Sequence, residues 1–329
     1  MTHSIAIVGA GGMGRLHAGN LKRIEGISIA GVCDPNPEAA KALAEAHGTR
    51  AYECFEALLS DRTPDAVFVC VPPFAHSGEA EMAARRGIHI FIEKPIGLST
   101  GAAEAMVRAV VESGVRTQVG YHFRYGGAVR ELVRRIRCGE AGRGVLFTGR
   151  YECNSLHAPW WREKAKAGSQ ILEQVIHTYD MAMHLMGRPL SAAGLTDNLC
   201  HRDVHGYTLE DVSCANIRFE GGALGSITAT NCAVPGRWVN QFEAVFERLT
   251  VRFDDANHAV FVDTSKEQPV ETRVDAQVDM YFEEVLEFVR LLDGAEQDGC
   301  PIPEGFESLR LVEAVTQSAE RGGALISLA

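Results

Sequence analysis

A short apolar run, Ile5–Val8, is followed by glycines at positions 9, 11 and 14 and then by a segment with helical character. Glycines at this spacing between a strand and a helix permit a tight turn, a close approach of backbone to a pyrophosphate, and close packing of helix on strand. The phosphates would lie at the helix N-terminus, where free N–H groups and the helix dipole favour anions. The pattern predicts a dinucleotide site; the alternative is a glycine-rich turn of structural use only.

Asp34 has the residue type and position to select the cofactor. It lies 20 residues after Gly14, at the end of the second predicted strand. A carboxylate there accepts hydrogen bonds from the ribose 2′- and 3′-hydroxyls and repels a 2′-phosphate. The following Pro35-Asn36-Pro37 supplies no arginine to offset that repulsion. We therefore expect NAD as the cofactor in preference to NADP; the alternative is a turn aspartate before a proline.

Lys94 follows another apolar run, His89–Ile92. In an open parallel sheet, ligands bind at the carboxyl ends of the strands, which is where this lysine is expected to lie. An ammonium group at that edge can donate a proton to the reacting oxygen or polarise it. The alternative is a surface lysine on a loop that follows a strand.

Glu173, His177, Asp180 and His184 follow one another at intervals of four, three and four residues. A regular α-helix would carry all four on one face. A Glu-x-x-x-His pair can ligate a metal, but Asp180 and His184 extend along the helix instead of closing a compact site, so we expect no metal. His184 precedes an apolar segment and is expected to be a packing histidine.

The elements that must position these residues form two domains. Near-continuous apolar strands separated by helices indicate a parallel sheet covered on both faces, so residues 1–121 predict an α/β Rossmann domain. The predicted strands are Ile5–Val8, Ser28–Val32, Ala66–Val71, His89–Ile92 and Thr117–Val119, and the predicted helices are Gly14–Ile24, Pro37–His47, Ala75–Arg86 and Thr100–Ser113.

Residues 122–329 predict an α+β domain with a large, mostly antiparallel sheet, although the last helix could pack on the first domain. Glu220-Gly221-Gly222 indicates a hairpin turn within this sheet. The predicted strands are Ser213–Phe219, Ala223–Asn231, Gln241–Phe246, Leu249–Phe253 and Ala259–Asp263, and the predicted helices are Ala128–Arg137, Gln170–Met186, Ala276–Leu292 and Phe306–Arg321.

Bulk properties exclude several classes of protein. A chain of 329 residues is long enough for two domains at about 150 residues each. Its formal net charge of -11 argues against binding of nucleic acid or an anionic membrane, since both require a basic surface. The nine cysteines contain no CxxC pair, so we expect a reducing compartment and neither a disulfide framework nor a zinc ribbon. With no signal-peptide pattern and no apolar run near the ~20 residues of a membrane span, the chain is expected to be cytoplasmic.

Further motifs occur in order along the chain. They are Val71-Pro72-Pro73-Phe-Ala-His76, Glu93-Lys94-Pro95, Gly120-Tyr121-His-Phe-Arg124, Trp161-Arg162 and the segment from Gly168 to Asp180. Together with the glycine loop and His17, they resemble the glucose–fructose oxidoreductase / inositol dehydrogenase / rhizopine-catabolism (Gfo/Idh/MocA) family over most of both domains. The resemblance implies NAD(P)-dependent hydride transfer on sugars, inositols or related polyols, and a proline after Lys94 that family members often hold in cis.

The resemblance also implies roles for individual residues. His177 would be the general base for the substrate hydroxyl, a role that suits imidazole, with Asp180 supporting it. The family usually has aspartate where this chain has Glu173. Glutamate is one methylene longer, so its carboxylate would lie at a different position around a substrate. Trp161 would offer a stacking face to a sugar and Arg162 would hold a phosphate or hydroxyl oxygen, although both could equally anchor a loop.

Three sets of site residues follow from the spacing and the resemblance. The expected catalytic residues are Lys94, His177 and Glu173. The expected substrate contacts are Lys94, Tyr121, Arg124, Trp161, Glu173 and His177. The expected cofactor contacts are Gly9, Gly11, Gly12, Met13, Gly14, Asp34, Val71, Pro72, His76, Glu93, Lys94, Trp161 and Arg162, with His76 either close to the cofactor or structural.

The expected reaction transfers a hydride between nicotinamide and a secondary alcohol or ketone of a small polyhydroxylated substrate. His177 would remove the hydroxyl proton while Lys94 stabilises the alkoxide, or the two could exchange roles. One alternative is a redox-neutral enzyme that uses NAD transiently for glycoside cleavage or another elimination. The other is an NAD(P)-binding regulator, which would need neither residue. The family resemblance implies a homodimer or homotetramer formed through the C-terminal sheet.

Overall fold

The computed structural model describes residues 2–328, and these form two compact units. The first contains the described chain up to His122 together with Tyr281–Phe306. The second contains Phe123–Met280 and the described chain from Glu307 onward. The sequence pattern predicts the segment 281–306 within the second domain, whereas in the structure it packs with the first unit.

Helices and strands alternate early in the described chain, and strands dominate its second half. The strands are β1 (His3–Val8), β2 (Ile27–Cys33), β3 (Ala51–Tyr52), β4 (Ala66–Val69), β5 (His89–Ile92), β6 (Thr117–Val119), β7 (Gly144–Glu152), β8 (Pro189–Asp197), β9 (Val212–Phe219), β10 (Leu224–Thr230), β11 (Val239–Phe246), β12 (Leu249–Asp255), β13 (His258–Asp263), β14 (Val270–Asp275) and β15 (Ile326–Ser327). The helices are α1 (Gly12–Leu21), α2 (Pro37–Ala46), α3 (Phe55–Asp61), α4 (Glu79–Arg85), α5 (Thr100–Ser113), α6 (Gly127–Arg137), α7 (Lys164–Ala167), α8 (Ile176–Met186), α9 (Met280–Leu292) and α10 (Ile302–Glu320).

The sheet of the first unit is parallel and has the order β3-β2-β1-β4-β5-β6. This is the order of a dinucleotide-binding Rossmann sheet, in which the strand order reverses beside β1 and opens a crevice at the carboxyl ends of the strands. The predicted α/β Rossmann domain is confirmed. The sequence pattern does not predict β3 or α3, because the strand is only two residues long.

Helix α9 completes the core of the first unit. Phe288 is fully buried, and its ring centroid lies 5.5 Å from that of Phe68 on β4 and 5.8 Å from that of Phe91 on β5. The rings of Phe68 and Phe91 stack at 4.4 Å. Val285 and Val289 join the same core. Apolar burial therefore brings a segment from late in the chain into the first unit.

The sheet of the second unit has nine strands in the order β14-β13-β12-β11-β7-β10-β9-β8-β15. The pairing of β10 with β7 is parallel and the other pairings are antiparallel, which confirms the predicted mostly antiparallel sheet. The hairpin turn at Glu220–Gly222 joins β9 to β10 as predicted. The sequence pattern does not predict β7, β8 or β14. Among the described residues, no helix is both long and apolar enough to cross a membrane.

Replacing Phe288 by alanine is expected to lower the free energy of unfolding by about 3–5 kcal/mol, because the lost ring leaves a cavity beside the stacked rings of Phe68 and Phe91. Urea unfolding followed by circular dichroism measures the change. Val111→Ala is the matched control in the same unit, since Val111 is 65% exposed and its truncation should change stability by no more than about 0.5 kcal/mol. Equal effects of the two substitutions would contradict the assignment of α9 to this core.

Candidate active site

The turn after β1 uses glycines where side chains would collide with backbone. Gly9 has a φ of +98°, and a Cβ on it would lie 2.6 Å from the carbonyl oxygen of Cys70. A Cβ on Gly14 would lie 1.8 Å from the carbonyl oxygen of Gly9. Gly11 and Gly12 have no atom within 4 Å of their Cβ positions. Helix α1 therefore packs tightly on the turn and leaves open space at its N-terminus, an arrangement that suits a pyrophosphate.

Asp34 directly follows β2, and its carboxylate is fixed by two backbone groups. Oδ2 accepts a hydrogen bond of 2.7 Å from the N–H of Ala10, and Oδ1 accepts one of 2.8 Å from the N–H of Asn36. A carboxylate has about four lone-pair sites, so these bonds leave acceptor capacity for ribose hydroxyls. The bond to Ala10 ties the predicted cofactor selector to the glycine turn itself.

A cavity of about 590 Å³ lies at the carboxyl ends of the strands of the first unit. Five of the predicted cofactor residues line it together: Gly9, Gly11, Asp34, Val71 and Pro72. Its position beside β1 is where a sheet of this order binds a dinucleotide.

Several other residues that the sequence pattern does not predict line the same cavity. Phe55 and Phe74 add apolar surface, while Glu53 and Glu56 add carboxylates. Negative charge beyond that of Asp34 further disfavours a 2′-phosphate. Phe55 begins α3 directly after Cys54. The short apolar run around Tyr52 is the signal that could have predicted a strand end here, and with it these cavity residues.

Three other predicted cofactor residues have roles within the fold of the first unit. Gly12 begins α1, and Met13 packs against the core of the first unit. Burial lowers the pKa of His76, whose ring also hydrogen-bonds to the backbone of Pro95. The imidazole of His76 is therefore neutral at neutral pH and supports the Lys94–Pro95 peptide, which is cis.

Glu93 belongs to a buried acid–imidazole cluster. Its Oε1 lies 2.6 Å from Nε2 of His17, and both side chains are buried. The carboxyl group of Glu284, on α9, joins them, with ligand-type atoms of the three residues within 4.8 Å of one another. Burial, followed by the charge of Glu93, raises the pKa of Glu284 well above its usual value. The cluster therefore holds Glu93 in the interior directly before Lys94.

Lys94 is half-buried and follows Glu93 at the carboxyl end of β5. Burial, with the positive charge of Lys94 as the next cause, lowers the pKa of His122 to about 3. The ring of His122 stacks on that of Tyr281 with centroids 4.1 Å apart. His122 is therefore a neutral neighbour of Lys94, and the adjacent Tyr121 is buried.

In the second unit, the predicted helix from Gln170 to Met186 begins as a π-helix. Ile171–Val175 form this wider turn, and α8 follows it directly. Glu173 and His177 are both buried, and the ring of His177 lies 5.0 Å from that of Phe123. The segment that carries Glu173 is therefore a π turn and not the regular α-helix that the sequence predicts. Single π turns in α-helices occur frequently at functional sites.

Arg124 and Asp180 form a buried bidentate ion pair. Nε of Arg124 donates to Oδ2 at 2.8 Å and Nη2 donates to Oδ1 at 2.6 Å. Oγ of Ser308 also donates to Oδ1 of Asp180 at 3.2 Å. Burial, followed by the charge of Arg124, lowers the pKa of His184 to about 3, so His184 is neutral. The pair anchors α8, and a substrate contact for Arg124 stays a prediction.

Trp161 and Arg162 lie in a 3₁₀ turn at Pro159–Arg162. Nε and Nη2 of Arg162 donate to the carbonyl oxygens of Leu156 and His157 at 2.9 and 3.1 Å, which matches the loop-anchoring alternative. Nε1 of Trp161 is buried and finds no hydrogen-bond acceptor among the described residues. A buried donor without an acceptor is rare, and a bound ligand is one explanation.

A Rossmann sheet with a glycine turn and an acidic residue after β2, joined to a unit with a large antiparallel sheet, defines a class of two-unit dinucleotide-dependent oxidoreductases. Residues 3–121 match the family model of the oxidoreductase family with an NAD-binding Rossmann fold, and residues 129–252 match that of the GFO/IDH/MocA C-terminal domain. The chain belongs to the Gfo/Idh/MocA family of NAD-binding oxidoreductases.

Two relatives are similar to the chain in sequence, and one solved structure shares its fold. The chain is 31% identical to scyllo-inositol 2-dehydrogenase (NAD(+)) from Bacillus subtilis over 72% of its own length and 70% of that protein. It is 24% identical to myo-inositol 2-dehydrogenase from Thermotoga maritima over 96% of each chain. Levoglucosan dehydrogenase in complex with NADH and levoglucosan shares the fold, with a TM-score of 0.91 at 20% identity over 100% of both chains.

The free energy of unfolding is expected to decrease less steeply with rising pH when Glu284 is replaced by glutamine. The pKa of Glu284 is higher in the folded than in the unfolded chain, so the folded state keeps a proton that the unfolded state loses. Stability is therefore lost as pH rises from the ordinary carboxyl range towards the folded pKa, by up to about 1.4 kcal/mol per pH unit. Glutamine has no such proton to lose. Urea unfolding between about pH 5 and 8 measures the slope.

The control for this measurement is Glu296→Gln, an exposed glutamate in the same unit. Its unfolding free energy should follow that of the wild type across the pH range. Parallel curves for Glu284→Gln and the wild type would contradict a protonated Glu284 in the folded protein.

Proposed function

We propose that this NAD-binding oxidoreductase interconverts a secondary alcohol and a ketone on a sugar, an inositol or a related polyol. The observation that carries the proposal is the cavity in which the glycine turn, Asp34 and the residues after β4 come together. The substrate class is supported by the two inositol dehydrogenases that the chain resembles.

In the proposed reaction the substrate alcohol loses a proton from its hydroxyl group and a hydride from the adjoining carbon. Bound NAD⁺ would supply the hydride acceptor for the carbon that carries the reacting hydroxyl. His177 takes the hydroxyl proton, because a neutral imidazole suits general-base catalysis near neutral pH. The ammonium group of Lys94 stabilises the developing alkoxide, and such electrostatic stabilisation is often a large catalytic contribution. The exchange of these two roles between Lys94 and His177 is the remaining variant of this proposal.

Binding of a polyol is proposed to use the polar groups of the second unit. Glu173 is buried and carries a carboxylate that can accept from substrate hydroxyls. The indole of Trp161 supplies a stacking face and a buried N–H donor. The loops 153–166 and 234–240 are proposed to determine which polyol is accepted. The ion pair of Arg124 with Asp180 and the carbonyl contacts of Arg162 hold the surrounding backbone in place, and a substrate contact for Arg124 is part of this proposal.

The proposed assembly is a homodimer or homotetramer formed through the sheet of the second unit, and the proposed location is the cytoplasm. The assembly rests on the family resemblance and on a face of the sheet where polar side chains of β7, β10 and β11, such as Thr148, Thr228 and Gln241, border an open pocket. Light scattering of the purified protein measures the mass of the assembly.

A spectrophotometric screen tests the function. The purified protein is incubated with NAD or NADP and with inositols, aldoses, sugar acids or amino sugars, and formation of NADH or NADPH is followed by absorbance. We expect turnover with NAD and one group of polyols, and weaker or no turnover with NADP because of Asp34, Glu53 and Glu56. Substrate conversion without net NADH formation would instead indicate the redox-neutral alternative. Binding of NADH with no turnover would favour a regulator.

Replacing Lys94 by alanine is expected to lower kcat by at least about 100-fold, because the alkoxide loses its charged partner. NADH binding, measured by fluorescence titration, should stay within about threefold, since the glycine turn and Asp34 are unchanged. Lys41→Ala is the matched control, as the Lys41 side chain is 67% exposed, and it should leave both quantities unchanged. Loss of NADH binding together with turnover would overturn the catalytic role of Lys94.

A further inference from the structure

Four side chains with metal-binding atoms converge at one end of the sheet in the second unit. Cys200 and His201 lie in the loop between β8 and β9, Asp211 directly precedes β9, and Cys232 follows β10. Sγ of Cys200, a carboxylate oxygen of Asp211 and Sγ of Cys232 lie within 4.8 Å of one another. Nδ1 of His201 lies 3.1 Å from Oδ2 of Asp211 and 4.0 Å from Sγ of Cys232.

The carboxylate of Asp211 is held rigidly at the centre of this group. Oδ1 accepts from the N–H of Leu199 at 2.9 Å, and Oδ2 accepts from the N–H groups of Cys200 and His201 at 2.7 and 3.0 Å. Hydrogen bonds of this kind orient a carboxylate for a metal.

We propose that Cys200, His201, Asp211 and Cys232 form a binding site for Zn²⁺. Two thiolates, an imidazole and a carboxylate make a four-ligand set of the type that Zn²⁺ takes in tetrahedral sites, and thiolates favour it over Mg²⁺ or Ca²⁺. Bond lengths of about 2.0–2.3 Å place the donor atoms of such a site roughly 3.3–3.8 Å apart. Donor atoms that already lie within 4.8 Å reach those separations by rotation of side chains.

Binding at this site involves protons and no oxidation or reduction. Each cysteine enters the site as a thiolate, so that Zn²⁺ displaces one proton from each thiol to solvent. Because each thiol must lose its proton to bind, the affinity is expected to rise with pH. Cys200 is exposed and Cys232 half-buried, which leaves a path by which the cation can enter.

The site would hold the loop between β8 and β9 against the segment that carries Trp160 and Arg162. Tyr207 and Leu209, from the same loop, pack with Trp160. The N–H of Thr208 donates to the carbonyl oxygen of Arg162 at 2.8 Å, and its Oγ1 accepts from the N–H of Lys164 at 2.7 Å. Zn²⁺ would therefore stabilise a loop that supports the proposed substrate-binding segment and would act structurally.

Titration of the full chain with Co²⁺ under a thiol-free reductant tests the site. Co²⁺ substitutes for Zn²⁺ in tetrahedral sites, and its bonds to thiolates produce a charge-transfer absorption. We expect this absorption at one equivalent of Co²⁺, its bleaching by Zn²⁺, and a rise in Tm with Zn²⁺. In Cys200→Ser and Cys232→Ser the affinity for Co²⁺ should fall by at least about 100-fold, the upper end of what loss of an outer-sphere partner costs.

Cys214→Ser is the matched control, since Cys214 is an exposed cysteine on β9 outside the cluster; it should bind Co²⁺ like the wild type. Circular dichroism of each variant without metal verifies folding. The proposal is overturned if the wild type shows no thiolate absorption, or if Cys214→Ser loses as much affinity as the two cluster variants. It is also overturned if Cys200 and Cys232 form a disulfide that persists under the reductant and the protein binds no cation.

Discussion

The approach of α1 to the turn after β1 is the contact on which the cofactor site depends. A Cβ at Gly14 would lie 1.8 Å from the carbonyl oxygen of Gly9, so the helix reaches this position only because Gly14 has no side chain. The N-terminus of α1 consequently opens directly at the carboxyl edge of the sheet. Asp34, on the neighbouring strand, holds the N–H of Ala10 within the same turn. Two parallel strands thus fix one loop, and the groups for pyrophosphate and ribose are held by the same few bonds.

Local sequence pattern predicts the first unit well, because its site residues follow the ends of strands that have clear apolar runs. The bounds of β5 and β6 agree with the pattern, and Asp34 lies at the end of β2 as expected. The bonds that organise the site are not visible in the pattern, since they join residues distant in sequence. His17 and Glu93 are 76 residues apart, and Glu284 reaches them only because α9 packs in this core.

The second unit shows where periodicity fails. The spacing of Glu173 and His177 predicts a helix, and a helix is present, but spacing does not distinguish an α-helical turn from the π turn at Ile171–Val175. The partner of Asp180 is Arg124, 56 residues earlier, so a bidentate pair could not be predicted from the helix alone. Cys200, Asp211 and Cys232 have no metal-site spacing. They come together because β8, β9 and β10 pair side by side and bring the ends of three strands to one place.

The contribution of α9 to the first core has a consequence for synthesis of the chain. A ribosome releases residues in order, and the strands that carry Phe68 and Phe91 emerge long before Phe288. Until that helix arrives, the stacked rings lack the ring that packs edge-on against both. The nucleotide-binding unit therefore cannot reach its final packing as an autonomous nascent domain, and the aromatic surface of its sheet stays uncovered while the residues between Phe91 and Phe288 are synthesised. Such a surface is a natural target for chaperones that hold unfinished chains.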